Sequence, residues 1–351
     1  NGDWSSDVCS SDLLIVGPMF AGKSTEMLRR ISRAELAHLK CVVIKYSKDC
    51  RYSVKKVSTH DLQMHDALPC SELISVIRIC KDYDVIGVDE GQFFSDIVEF
   101  SEELANCGKR VIIAALDGTF QRKPFGRVLK LISKCETITK LTAVCTETGS
   151  DAPFSQRLVN SDDVELIGGS EMYRAASRSS YMGIKTAGEI HLTMGPVKSG
   201  KTTELIRVLT RHYIARRSAV LITHRSIKKE LRFNVISANE LPSIESLKDY
   251  QIIGVDEGHK FAGLAKWADT LANSGKLVVI SALDGDRNQE PYQEIVDLFP
   301  LCEQVMKFDS VCKFTGQPAP FTAKKGHKFY PVSRLELIKN RRKENSPSKC
   351  F

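Results

Sequence analysis

Apolar residues in this chain gather into short unbroken runs rather than alternating with polar ones. Residues 41–44 (CVVI), 85–88 (VIGV) and 111–115 (VIIAA) form one set; 219–222 (AVLI), 252–255 (IIGV) and 277–281 (LVVIS) form another. A strand with one face in water alternates, whereas a continuous run marks a strand covered on both faces, as in a parallel sheet. Each set is preceded by a further strand-like run, at 14–16 and 190–193, that leads into a glycine-rich loop. Segments of helical character lie between the runs, among them 95–106 and 263–273. Strands alternating with helices predict a parallel α/β sheet with ligands at the carboxyl ends of the strands.

The two sets are copies of one unit. GPMFAGKS (17–24) returns as GPVKSGKT (195–202), IGVDEG at 86–91 as IGVDEG at 253–258, ALDG at 115–118 as ALDG at 282–285, and APF at 152–154 as APF at 319–321. Glu90 to Asp117 and Glu257 to Asp284 are both 27 positions, and Asp117 to Cys145 and Asp284 to Cys312 are both 28. Lys23 to Glu90 is 67 positions but Lys201 to Glu257 only 56. This is a tandem duplication with a deletion in the second copy, and each copy is large enough to form its own core. The expected division is a leader (1–13), a first domain (14–183), a second domain (189–338) and a basic disordered tail (339–351).

Composition narrows the class. The chain has 351 residues, 42% hydrophobic and 26% charged, without an apolar run of 18, so no transmembrane helix and no membrane partner are expected. Part of the net charge of +7 sits at Lys339, Arg341, Arg342, Lys343 and Lys349, read as a solvated end; no nucleic-acid partner is inferred. The 11 cysteines include no C-x-x-C pair, which fits reduced thiols in the cytoplasm. Residues 1–13 (NGDWSSDVCSSDL) lack the basic and apolar regions of a signal peptide and are read as a non-native leader.

G-x-x-x-x-G-K-[ST] carries the first chemistry. Its glycines let successive backbone N–H groups turn inward on phosphate oxygens, its Lys neutralises the β- and γ-phosphates, and its hydroxyl helps hold Mg²⁺. Two such loops, each between a strand and a helix, define the fold class: two tandem P-loop NTPase-like parallel-sheet domains. Asp89 and Glu90 follow an apolar strand; adjacent strand residues point to opposite sides, so one carboxylate can serve Mg²⁺ and the other a second substrate. On the residues alone, a small-molecule kinase and an ATPase both remain open.

Segments 17–24, 45–53 (KYSKDCRYS), 59–61 (THD), 86–94 (IGVDEGQFF), 114–126 (AALDGTFQRKPFG) and 164–173 (VELIGGSEMY) resemble the cytosolic, P-loop type of thymidine kinase, over about residues 14–181. The resemblance implies ATP-dependent phosphorylation of the 5′-hydroxyl of deoxythymidine and deoxyuridine, in nucleotide salvage. Gly17, Pro18, Met19, Phe20, Ala21, Gly22, Lys23 and Ser24 would bind ATP phosphates, with Asp49, Asp89 and Gln92 beside the nucleotide. Lys23 and Arg51 would stabilise transition-state charge, and Glu90 would be the general base. Ser24 and Asp89 would place Mg²⁺. Met19, Phe93, Leu116, Phe120 and Phe125 would surround the thymine ring. Val164, Glu165, Leu166, Ile167 and Gly168 would form a lasso loop over the base, closed by Tyr173.

This family commonly anchors its lasso with a structural zinc on two C-x-x-C pairs. Here those positions read Cys145-Thr-Glu-Thr148 and Ser177-Arg-Ser-Ser180, so no structural zinc is expected. The second copy keeps Lys201, Thr202, Asp256, Glu257 and Asp284 but has DGDRNQEPY (284–292) in place of DGTFQRKPF, and only KKGHKF (324–329) for a lasso. It is read as a degenerate unit that packs on the first, replacing a subunit contact of the family's homo-tetramer; a homo-oligomer is expected. The alternative is a nucleotide-binding scaffold with both units inactive. Lys343-Glu344-Asn345 followed by Ser346-Pro347 resembles a degradation signal of some family members.

Overall fold

The computed structural model describes residues 12–48, 56–58, 64–160, 163, 168–224 and 231–344. Asp49, Arg51, the THD segment, Val164–Ile167 of the expected lasso and the segment from Asn345 onward lie outside the described residues, as do residues 1–11.

The first sheet contains β1 (Asp12–Gly17), β2 (Cys41–Tyr46), β3 (Leu68–Cys70), β4 (Val85–Val88), β5 (Arg110–Leu116) and β6 (Thr137–Lys140) in the spatial order β3-β2-β4-β5-β1-β6, every neighbouring pair parallel. β4 is buried at all four positions and β5 at its five central ones, as the unbroken apolar runs require. Helix α1 (Lys23–Leu36) buries Met27, Leu28, Ile31 and Ala34 along one stripe, and α2 (Ile97–Asn106) covers the sheet with Ile97, Phe100 and Leu104. The repeated IGVDEG has a packing reason. A Cβ on Gly87 would stand 2.5 Å from Ile31 Cδ1, so only glycine lets α1 lie this close to β4. The unit closes with a hairpin, β7 (Phe154–Arg157) against β8 (Tyr173–Ala176), and the short helix α3 (Arg178–Met182).

The second unit repeats the plan: β9 (Glu189–Gly195), β10 (Ala219–Thr223), β11 (Asn234–Ser237), β12 (Ile252–Val255), β13 (Leu277–Leu283) and β14 (Gln304–Lys307), ordered β11-β10-β12-β13-β9-β14. Helices α4 (Lys201–Ile214) and α5 (Leu264–Asn273) flank it, followed by the hairpin β15 (Phe321–Lys325) and β16 (Lys328–Val332) and by α6 (Arg334–Glu344). Lys324, Lys325, Lys328 and Phe329, read from sequence as a shortened lasso, are ladder residues of this hairpin.

The units are joined about a pseudo-twofold relation. Edge strands β6 and β14 meet, and one apolar cluster includes Leu129, Leu131 and Ile132 of the first unit with Ile295, Leu298 and Phe299 of the second. Lys140 pairs with Asp117 at 2.6 Å and donates to the Phe299 carbonyl at 2.9 Å; its counterpart Lys307 pairs with Asp284 at 2.7 Å and donates to the Ile132 carbonyl at 2.6 Å. The arginines that open α3 and α6 reach across in the same reciprocal way. Arg178 bonds Glu303 Oε1 at 2.8 Å and the Leu301 carbonyl at 2.6 Å; Arg334 bonds Glu136 Oε2 at 2.9 Å and the Lys134 carbonyl at 2.6 Å. Such self-complementary contacts are those of an isologous dimer, here within one chain.

Two expected boundaries move. Asp12 and Leu13, assigned to the leader, belong to β1: Asp12 is buried, receives Arg334 at 3.3 Å, and sits in register with Val111. Burial holds its carboxyl well above the usual range despite that arginine. The basic tail expected from residue 339 begins instead inside α6, which runs to Glu344 and sends Arg341 to the side chain of Gln289. Among the described residues no helix is long and apolar enough to cross a membrane.

Candidate active site

β1 delivers the phosphate loop. Gly17 has φ 149°, and a Cβ there would lie 2.3 Å from the Leu141 carbonyl oxygen; Gly22, at φ 77°, is the residue before α1. The loop thus wraps onto the amino terminus of α1, whose first N–H groups are without helical partners and suit anions. Lys23 donates to the Pro18 carbonyl at 2.6 Å, holding its ammonium over the loop, and Ser24 donates to Asp89 Oδ1 at 2.8 Å. Burial, with the charge of Glu90 adding to it, pushes the Asp89 carboxyl up to about 7. A buried carboxylate beside a hydroxyl and a phosphate cradle suits a divalent cation, which compensates the negative charge that burial makes costly. These residues therefore fit ATP with Mg²⁺. The second unit repeats the arrangement with Thr202 donating to Asp256 Oδ1 at 2.9 Å and Lys201 to the Pro196 carbonyl.

Asp89 and Glu90 are not the alternating strand residues that the sequence suggests. Both lie beyond the end of β4, and Glu90 takes a left-handed conformation (φ 55°) that opens a 3-10 turn over Gly91–Phe93. The turn, rather than a continuing strand, sets where the Glu90 side chain leaves the backbone. Gln92, expected beside the nucleotide, donates to Glu90 Oε2 at 2.6 Å and accepts from the Leu116 N–H at 2.9 Å. It therefore positions Glu90 and ties it to the end of β5.

The aromatic residues fall into two groups. Phe93 stacks on Tyr46 at 5.2 Å and meets the edge of Phe125 at 5.7 Å. Phe120 lies under the Arg157 guanidinium at 3.7 Å, and Arg157 donates to the Tyr173 hydroxyl at 2.8 Å. The Met19 N–H donates to Ser155 Oγ at 2.9 Å, fastening the phosphate loop to the β7–β8 hairpin. Phosphate loop, carboxylates, aromatics and hairpin thus converge at the carboxyl edge of the first sheet. Tyr46, Ser155 and Arg157 were not singled out from sequence. Tyr46 stands inside a motif that was noticed, whereas Ser155 and Arg157 have no local signal.

At the base of the hairpin the four positions that the resemblance assigns to a zinc site stand together. Thr148 donates to Ser177 Oγ at 3.3 Å, the Ser180 N–H donates to the same oxygen at 3.3 Å, and Cys145 sits buried among them. Burial raises the Cys145 thiol, but hydrogen bonds from Thr148 and Ser177 outweigh it and bring it down to about 6. One thiol and three hydroxyls do not fit tetrahedral zinc, which takes thiolate, imidazole or carboxylate. A hydrogen-bonded cluster occupies the place of that metal site.

Comparison with known proteins agrees with this geometry. The sequence model of the family described as thymidine kinase matches residues 12–181 and again 188–339. Among curated relatives, thymidine kinase 1 of Dictyostelium discoideum is 58% identical over 172 residues, which is 48% of this chain and 76% of that protein. The thymidine kinase of vaccinia virus (strain Ankara) is 53% identical over 170 residues, 48% of this chain and 96% of its own length, and that of variola virus is 53% identical over 169 residues, 48% and 95%. With both halves matched by one family and both phosphate loops built alike, the chain belongs to the thymidine kinase family as a tandem duplication of its domain.

Proposed function

We propose that the first unit transfers the γ-phosphoryl group of ATP to the 5′-hydroxyl of deoxythymidine, or of deoxyuridine, which lacks only the ring methyl, in nucleotide salvage in the cytoplasm. The observation that carries this reading is Glu90: Gln92 holds its carboxylate, its charge acts on Asp89, which accepts from Ser24, and Phe93 of the same turn stacks on Tyr46 and meets Phe125. Glu90 takes the proton of the attacking hydroxyl, while the loop N–H groups and Lys23 hold charge on the phosphates, as phosphoryl transfer requires. Ser24 and Asp89 would hold Mg²⁺, which when bound draws charge from the phosphate oxygens. Asp49 and Arg51 are assigned to the phosphates, and Val164, Glu165, Leu166, Ile167 and Gly168 to the thymine edge, by family resemblance. Met19, Leu116, Phe120 and Tyr173 complete the nucleoside side.

The second unit does not phosphorylate thymidine in this reading, because Lys260 sets a cation 2.7 Å from Glu257 Oε2, where the first unit has only the neutral amide of Gln92 on Glu90. Its structural part is to pack on the first unit as a second subunit would, leaving the chain free to assemble further as a homo-oligomer.

Transfer of labelled phosphate from ATP to thymidine by the purified chain tests the proposal, with Lys23→Ala as the control. Activity that survives Lys23→Ala would place catalysis in the second unit, and absence of transfer in the unaltered chain would favour a scaffold. Zinc analysis of the same preparation is expected to give well under one equivalent per chain, since a single thiolate cannot hold the metal; one equivalent would refute the hydroxyl-cluster reading.

A further inference from the structure

The second unit's cavity, about 750 Å³, opens between its phosphate loop, the turn after β12 and the β15–β16 hairpin. Its lining differs from the first unit chiefly in charge: cations replace aromatics, while Asp286, which replaces Thr119, adds a carboxylate that accepts from the Asn288 and Glu290 N–H groups. Phe20 of the first phosphate loop (φ 67°) is replaced by Lys198 (φ 63°), Phe93 by Lys260 and Phe120 by Arg287, in each case within motifs that correspond without a gap. All three replacements line the cavity together with Lys201 and Lys324. Three aromatic positions have become cationic, and Lys324 only exchanges one base for another, standing where the first unit has Arg157. Meanwhile Leu283 and Tyr292 keep an apolar floor where the first unit has Leu116 and Phe125.

The phosphate loop accounts for Lys198 and Lys201 as partners of a nucleoside triphosphate. Lys260 and Arg287 stand on the opposite, acceptor side. Lys260 is placed on Glu257, which corresponds to the carboxylate that faces an acceptor hydroxyl in the first unit. An ammonium has three donors, so Lys260 can bind Glu257 and an anion together. A neutral hydroxyl acceptor needs a base that is not already paired with a cation; an acceptor that is already an oxyanion needs cations instead. We infer that the acceptor end of the second unit's cavity binds a pyrimidine nucleoside 5′-monophosphate, its phosphate on Lys260 and Arg287 and its base on the Leu283–Tyr292 floor. Such a ligand is the chemical product proposed for the first unit; the choice of acceptor side and of a pyrimidine rests on that reading, and the change of charge is the second unit's own.

Equilibrium dialysis of labelled thymidine monophosphate against the full chain tests it, with a large excess of unlabelled thymidine present to fill the first unit. One monophosphate is expected to remain bound per chain. The double variant Lys260→Ala, Arg287→Ala should weaken it at least about tenfold, as loss of two charge-assisted contacts implies, and Lys260→Arg should retain it. Both side chains are exposed, so the fold tolerates these changes, and an unchanged thermal midpoint verifies that. The inference is overturned if thymidine displaces all the monophosphate, if the double variant binds it unchanged, or if inorganic phosphate competes as well as the nucleotide. Should thymidine fail to fill the first unit, a second bound monophosphate insensitive to the double variant would reveal it, which separates failure of the first unit's assignment from failure of this one.

Discussion

Glu90→Gln is expected to lower kcat for thymidine by about 10²–10⁴, the range that loss of a positioned general base produces. Glutamine keeps the size and polarity of the side chain, and its amide can still meet Gln92, which now holds Glu90 at 2.6 Å. The turn over Gly91–Phe93 and the stack of Phe93 on Tyr46 do not depend on the charge. Thymidine KM should therefore move much less than kcat, the signature of an interaction made in the transition state rather than in the bound ground state. Glu257→Gln is the matched control. Its backbone is the same, with φ 54°, but Lys260 already neutralises it, so thymidine turnover should stay within about twofold of the unaltered chain. Steady-state kinetics on the two variants decides the matter. Equal losses would mean that both units turn over thymidine, and full activity in Glu90→Gln would remove Glu90 from the chemistry.

What could be read in the sequence were features whose letters are dictated locally. The phosphate loop needs glycine at Gly17 and Gly22 because of their backbone angles, and IGVDEG needs glycine at 87 because Ile31 crowds it. Constraints of this kind survive duplication, so both copies spell them alike and the spacing exposes the repeat. The central strands were legible because burial on both faces leaves only apolar letters. The edge strands were not: TITK and QVMK look like loop sequence because each ends in a lysine that reaches the other unit. Arg157 under Phe120 and the placement of Gln92 were invisible for a related reason, since their partners lie in other elements and leave no periodic trace. The leader boundary failed through composition. Asp12 looked like the end of a Ser/Asp-rich stretch, yet its partner, Arg334, lies more than 300 residues along the chain.

Arg178→Ala is expected to destabilise the chain by about 3–5 kcal/mol, the cost of removing one partner from a buried ion pair. The arginine side chain is 2% exposed and holds Glu303, Asp269 and the Leu301 carbonyl at once. Asp269 keeps Arg122 at 2.7 Å, but Glu303 retains only the Ile190 N–H among these bonds. Burial already raises the Glu303 carboxyl, and Arg178 opposes that rise. Without the arginine it rises further, so the variant's folded state takes up a proton that the unfolded state, with an ordinary glutamate, does not. Stability of the variant relative to the unaltered chain then increases as pH falls through the window above the usual glutamate range, and the deficit should be smaller near pH 5 than near pH 8. Urea unfolding at the two pH values measures this, and a deficit that does not depend on pH would assign the loss to packing instead. The same arginine opens α3, directly after Ser177, whose hydroxyl caps that helix and joins the Cys145 cluster. Arg178 thus ties the base of the β7–β8 hairpin and its hydrogen-bonded cluster to the second unit. Loss of Arg178 should therefore raise thymidine KM even in conditions where the chain remains folded, and that coupling gives the second unit a reason to persist that does not require it to phosphorylate thymidine.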